Sequence, residues 1–284
     1  MTTLLRGLPV AEAMNNETKA RAEVMIGQGI LPTLAIVRVG QKADDISYEK
    51  NASKRCQSLG IGVQNVVFEE SIDPDTFFRA MGDIAQNPAV HGILLLRPLP
   101  GQLDGEKARC MIPQDKDVDG CTDASLTGVF TGNGQGFAPC TAQAAMEILR
   151  FYGMPVSGKR AVVVGRSLVV GRPLAMMLMH ENATVTICHT RTQNLAQVIR
   201  EADLVVAACG QMESIGAESL RQGQAVIDVG ISWNSKKQKL CGDIRQEEAE
   251  GLVDALTPVP GGVGSVTTAV LCRHVVEAAE RMHV

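Results

Sequence analysis

Short apolar runs rich in β-branched residues recur along this chain, and most are separated by stretches with helical periodicity. The runs are Leu34–Val39, Val63–Phe68 and Gly92–Leu96, then Ala161–Val164, Thr184–Ile187, Leu204–Ala207 and Ala225–Val229. Continuous apolar runs of this length, rather than alternating ones, are the mark of strands buried on both faces. Helical patterns lie near residues 9–28, 44–58, 74–86, 141–152, 170–180 and 193–201. Strand–helix alternation at such spacing predicts an α/β fold with mainly parallel sheets.

The runs fall into two groups, divided by the polar, glycine-rich stretch Thr127–Ala138. We place a boundary there, with the helical run after Pro139 as a connecting strut. The final helical pattern, Val266–Met282, is expected to pack back on the first group. The domains expected are thus residues 1–150, completed by 265–284, and a second one over 151–264. A chain of 284 residues has room for both.

Composition narrows the function classes. Hydrophobic residues form 45% of the chain and charged ones 20%, which is globular rather than disordered composition. The formal charge of -4, with no long basic run, argues against nucleic acid or an anionic membrane as a partner. The eight cysteines are scattered without C-x-x-C or zinc-finger spacing, so reduced thiols and no metal site are expected. No signal-peptide or membrane-spanning run is found, and a cytoplasmic location is expected.

The sharpest local signal is the segment 159–178. A buried strand runs into Gly165, Arg166 and Ser167, and Gly171 opens an apolar helix. Such a turn aims backbone N–H groups at an anionic diphosphate, and glycine permits close approach. The spacing departs from G-x-G-x-x-G, and a turn that merely tightens a βα unit has the same appearance. The next strand ends in Cys188-His189-Thr190-Arg191-Thr192, with no carboxylate for ribose hydroxyls. Arg191 and Arg166 offer cations for the additional phosphate of NADP, unless both are simply solvated.

Three later segments suit the same domain: Ala207–Gly210, Asp228–Ile231 and the loop from Thr257 to Gly264. Ile231, at the end of the fourth strand run, is a candidate cofactor contact. From Pro258 to Gly264 the chain has two prolines and three glycines in seven residues, the chemistry of backbone lining a ligand.

These features, taken with Ser47-Tyr48, Pro98-Leu99-Pro100, Lys116–Gly120 and Pro139-Cys140-Thr141, resemble the bifunctional methylenetetrahydrofolate dehydrogenase/methenyltetrahydrofolate cyclohydrolase family nearly end to end. The resemblance implies an N-terminal catalytic domain, a Rossmann-like NADP domain, a folate site in the cleft between them, and a homodimer formed through the cofactor domains. It further implies that Tyr48 stacks on the folate and Asp119 anchors its pterin, both at the catalytic centre. Pro260, Gly261, Gly262 and Val263 would line the substrate site. Gly165, Arg166, Ser167, Gly171, Thr190, Arg191 and Ile231 would hold NADP. Tyr48 read alone could equally be a packing aromatic, and Asp119 a turn residue before Gly120.

The chain also departs from the family pattern. The family's Lys one helical turn after the Tyr is Ala52 here, and its Gln two residues before Pro-Leu-Pro is Leu96. The family's Pro-Met-Thr after the glycine run is Ser265-Val266-Thr267. The first two positions are those the family assigns to cyclohydrolase chemistry. The expectation is therefore an NADP-dependent folate dehydrogenase with weak or absent cyclohydrolase activity. An NADP-dependent oxidoreductase of another substrate, and a folate-binding protein without catalysis, are the competing readings. Arg97, next to Leu96 on the expected strand, should face the opposite side.

Overall fold

A computed structural model describes residues 1–283. The chain runs β1 (Thr3–Leu4), α1 (Gly7–Gly27), β2 (Thr33–Val39), α2 (Ala43–Ser58), β3 (Gly62–Phe68), α3 (Pro74–Gln86) and β4 (Gly92–Leu95). It continues α4 (Gly105–Cys110), α5 (Asp123–Thr131), α6 (Cys140–Phe151), β5 (Arg160–Val164), α7 (Gly171–His180), β6 (Thr184–Cys188), α8 (Leu195–Arg200) and β7 (Leu204–Ala207). Last come β8 (Ala225–Asp228), β9 (Ser232–Asn234), β10 (Lys239–Cys241), α9 (Gln246–Ala249), β11 (Ala255–Leu256) and α10 (Val263–Met282).

Two compact units result. One comprises Ala13–Cys140 with Thr268–Val284, the other Met1–Glu12 with Thr141–Thr267. In the first, β2 is the middle of a parallel three-stranded sheet of order β3-β2-β4. Six of its seven residues are buried, as a strand covered on both faces requires. Edge strand β3 is half exposed. On one face Ala35, Val37 and Val39 pack with Ile93, Leu95, Phe77 and Met81. Asp73 caps α3 by accepting from the Thr76 N–H at 3.0 Å, and Pro74 follows at the first helical turn.

The second unit is built on a six-stranded sheet of order β1-β11-β8-β7-β5-β6, parallel throughout. Residues 1–12 group with it because β1 adds to the sheet through β11. Its core contains Val162, Val164, Val205, Ala207 and Val226, the small branched residues that an aromatic-poor chain must use. The two-part α/β fold with mainly parallel sheets agrees with the sequence expectation.

The elements that periodicity did not reveal are short: β1, β9, β10, β11, α4 and α9. The glycine-rich stretch is only partly a loop. Its first residues belong to α5, which Thr122 caps by accepting from the Ser125 N–H and which Gly132 ends at φ 68°. The Thr127 and Thr131 hydroxyls donate to carbonyls one turn earlier, so residues that look like loop formers are accommodated inside the helix.

Candidate functional site

In the first unit, α2 presents a narrow inward stripe. Ala52, Ser53 and Cys56 are its buried residues, and Tyr48 lies one turn before Ala52 on the same side. Burial pushes the Tyr48 hydroxyl far above its ordinary pKa. The negative charge of Asp119 adds to this, followed by the thiols of Cys140, Cys272 and Cys56. Tyr48 and Asp119, 71 residues apart in sequence, therefore lie near enough to act on each other electrostatically. A phenol held this firmly neutral offers a ring face and a hydrogen bond rather than a proton shuttle.

Asp119 stands on a loop held from below. The fully buried Asp117 carboxylate accepts from the N–H groups of Cys121 (2.9 Å) and Thr122 (2.8 Å) and from the Thr122 hydroxyl (2.7 Å). Gly120 has φ 68°, and a Cβ there would lie 2.5 Å from Pro139 N, so the Asp-Gly pair of the sequence is a steric requirement. From α10, His274 bonds through Nδ1 to the Val118 carbonyl at 2.9 Å. Burial lowers its pKa to about 4, so the ring is neutral and Nδ1–H is the donor. The Cys140 thiol donates to the same carbonyl at 3.2 Å. Burial, with the charge of Asp117, raises the Asp119 pKa to about 6, and the charge of Arg97 opposes the shift.

Leu96 is buried and Arg97 exposed, and a cis Arg97–Pro98 bond follows β4. The Arg97 guanidinium lies close enough to act on Asp119. Leu96 is only 8% exposed and Ala52 is 0% exposed, whereas Lys50 and Lys54 face solvent. Lys116 is also occupied, its ammonium donating to the Asn87 carbonyl at 2.7 Å. No role was read for Arg97, Asp117 or His274 from sequence, though Asp117 lies in the Lys116–Gly120 motif and Cys140 in the Pro-Cys-Thr motif.

In the second unit the strand order reverses at β5, since β6 lies on one side and β7 on the other. Ligands of open α/β sheets bind at that switch point, beyond the strand C-termini. Gly165 sits there with φ 133°, and a Cβ on it would lie 2.1 Å from the Ala208 carbonyl oxygen. Gly171 is equally restricted, since its Cβ would lie 2.2 Å from the Gly165 oxygen. Between them the Ser167 hydroxyl accepts from the Val170 N–H at 3.1 Å, shaping the turn into α7. Arg166 and Ser167 are exposed at this crevice, and Thr190 and Arg191 are exposed after β6. The donor set fits a dinucleotide phosphate: a glycine turn opening a helix, flanked by two arginines.

Ile231, after β8, is exposed. The proline–glycine loop is held within this unit. Gly261, with φ 100°, accepts from the Gly7 N–H at 2.8 Å, and a Cβ on Gly262 would lie 2.6 Å from the Pro258 oxygen. Pro260 and Gly261 are exposed, while Gly262 and Val263 are buried.

Residues 5–119 match the pattern of the tetrahydrofolate dehydrogenase/cyclohydrolase catalytic domain, and residues 139–283 that of the NAD(P)-binding domain of the same family. The chain belongs to the tetrahydrofolate dehydrogenase/cyclohydrolase family. A bifunctional protein FolD from Carboxydothermus hydrogenoformans is 49% identical over 281 residues, 99% of this chain and 98% of that protein. Among solved structures, the FolD dehydrogenase/cyclohydrolase of Campylobacter jejuni is 33% identical with a TM-score of 0.96, covering 99% of both chains. The Trypanosoma brucei FolD, complexed with NADP cofactor and inhibitor, is 30% identical with a TM-score of 0.92, covering 99% of this chain and 98% of that one. The resemblance read from the motifs is thus borne out. As a family member, the protein is an enzyme of tetrahydrofolate one-carbon chemistry, and its Rossmann-like half is an NAD(P)-binding domain.

Proposed function

We propose that the protein is an NADP-dependent methylenetetrahydrofolate dehydrogenase in which cyclohydrolase activity is weak or absent. The observation that carries this is the set of side chains itself: the aromatic Tyr48 and the carboxylate Asp119 are kept and act on each other, while the positions of the family's Lys and Gln hold Ala52 and Leu96, buried side chains with no titratable or hydrogen-bonding group. Bound NADP supplies the hydride acceptor. Hydride loss leaves a methenyl cation shared between the two flanking nitrogens, so no side chain need take a proton. Tyr48 offers its ring to the pterin, and Asp119 accepts from the paired N–H donors of its aminopyrimidine edge. Alignment and exclusion of water are what remain for the protein to provide.

Hydrolysis of the methenyl cation is different. Water must add and a proton must move, which calls for a positioned acid/base. Arg97 is the cation acting on Asp119, and a guanidinium does not give up its proton at ordinary pH. Relatives bear the name bifunctional; the reading here rests on this chain's own Ala52 and Leu96.

In this proposal the unit Ala13–Cys140 with Thr268–Val284 forms the folate part and the unit Met1–Glu12 with Thr141–Thr267 the NADP part; the division expected from sequence, 1–150 with 265–284 against 151–264, differs from these units at residues 1–12, 141–150 and 265–267. Gly165, Arg166, Ser167, Gly171, Thr190, Arg191 and Ile231 serve the cofactor, and Pro260 to Val263 the substrate. The protein works as a cytoplasmic homodimer without nucleic acid or membrane. The formal charge of -4 supports the lack of a nucleic-acid partner, and among the described residues no helix is long and apolar enough to cross a membrane. Parallel assays of the purified protein test the function, with methylenetetrahydrofolate plus NADP and with methenyltetrahydrofolate alone. Reduction of NADP without faster methenyl decay is the expected pair of results. Absence of NADP reduction would overturn it.

A further inference from the structure

We propose that Asp243 is a positioning residue for the nicotinamide end of the cofactor, an inference that rests on the NADP reading above. Asp243 follows β10 and is 1% exposed. Its Oδ2 accepts from the Cys209 N–H at 2.7 Å and the Gly210 N–H at 3.0 Å, two residues of the loop that follows β7. The same carboxylate lies flush against the chain beyond β8, since a Cβ on Gly230 would be 2.5 Å from Asp243 Oδ1. One buried side chain therefore sets the spacing of two loops at the C-terminal edge of the sheet.

Its own backbone is fixed. The Asp243 N–H donates to Asp228 Oδ1 at 3.0 Å, the Ile244 N–H to Asp228 Oδ2 at 2.9 Å, and the Gly230 N–H to Asp228 Oδ1 at 3.0 Å. The Ile215 N–H donates to the Asp243 carbonyl at 3.1 Å. Sheet order gives this clamp its meaning. The glycine turn after β5 receives the diphosphate, and Arg191 after β6 marks the adenosine side. The other end of the dinucleotide must extend over β7 and β8. Without Asp243, two N–H donors at that edge lose their acceptor, and the loops that carry Cys209, Gly210 and Ile231 lose their common strut.

The test uses two probes on the whole protein: NADPH, and adenosine 2′,5′-bisphosphate, which has the adenosine half but no nicotinamide. Asp243→Ala is expected to weaken NADPH by about tenfold or more, the scale of losing charge-assisted hydrogen bonds, and to leave the bisphosphate within about twofold. Asp243→Asn is expected to recover most of the NADPH affinity. Its amide oxygen can take both N–H bonds, and its nitrogen falls where Oδ1 makes no hydrogen bond. If the alanine variant does not fold, Asp243→Ser, one atom shorter, takes its place with the same expectation. Unchanged NADPH affinity, or equal weakening of both probes, overturns the positioning role. A wild-type protein that binds neither probe overturns the NADP reading itself, and this inference with it.

Discussion

Gly165, at the end of β5, lies directly against the carbonyl of Ala208 beyond β7: a Cβ on residue 165 would be 2.1 Å from that oxygen. The two strands that flank the switch point meet through this contact, and the φ of 133° at Gly165 excludes other residues independently. Gly165→Ala is expected to destabilise the protein by about 3 kcal/mol, through a strained backbone and a displaced Ala208. Thermal unfolding and NADPH titration together check this, and an alanine variant with wild-type Tm and affinity would refute it.

Arg166 follows β5 and Arg191 follows the neighbouring β6, and both are exposed. If they hold the 2′-phosphate of NADP, replacing either by Ala raises the KM for NADP roughly tenfold and leaves that for NAD nearly unchanged, because NAD has no group for them to bind. An unchanged NADP/NAD ratio in both variants would remove the assignment.

Asp119 gives the pterin site a pH dependence. Burial and Asp117 hold its pKa at about 6, well above an exposed carboxylate, and only the ionised form accepts both N–H donors of the pterin edge. The KM for methylenetetrahydrofolate is expected to rise as pH falls through about 6, and Asp119→Asn should flatten that profile. The stability effect has the opposite sense. A carboxyl whose pKa is raised on folding stabilises the fold below its unfolded value of roughly 4, and this contribution is lost as pH rises towards 6. The wild type should therefore lose more stability between pH 4 and 7 than Asp119→Asn does.

Much of this was legible in the sequence, for a physical reason. Parallel strands buried on both faces must be written as apolar runs, and glycines in tight βα turns leave fixed marks, so β2, β4, β5 and β7 and the Gly165–Gly171 turn could be read directly. What eluded reading is set by contacts distant in sequence. His274 supports the Asp119 loop through one hydrogen bond spanning 156 positions, and Asp243 receives the Cys209 N–H from 34 positions away. No local pattern encodes such pairs. The α5 helix was hidden by threonines and glycines that local propensity assigns to loops.

Sedimentation tests the proposed homodimer. A dimer is expected at micromolar concentration, and a monomer there would reject it. Trp233 and Ile231, at the β9 hairpin, are 57% and 62% exposed, and quenching of the chain's single tryptophan can follow dissociation.

The most exposed prediction concerns hydrolysis. Ala52 is fully buried on α2, one turn after Tyr48, so a side chain lengthened there starts on the Tyr48 side of the helix and not in solvent. Lys50 and Lys54 stand about 200° around the helix from Ala52 and are exposed, which removes both as substitutes. Leu96 can neither orient a water nor hydrogen-bond an ammonium. The wild type should therefore leave the decay of methenyltetrahydrofolate close to its spontaneous rate, and acceleration comparable to dehydrogenase turnover would refute the assignment. Ala52→Lys with Leu96→Gln should supply an acid/base and its hydrogen-bonding partner. Burial beside hydrocarbon lowers an ammonium's pKa towards the working range, the condition for proton transfer near neutrality. A gain of about a hundredfold in hydrolysis is the scale that such a group provides. The buried ammonium also costs stability, so a fall in Tm should accompany the gain. Ala52→Met with Leu96→Gln is the control. It fills the same space without a titratable group, and it should bring no hydrolysis; equal gains in both double variants would show that shape, and not the ammonium, limits the reaction.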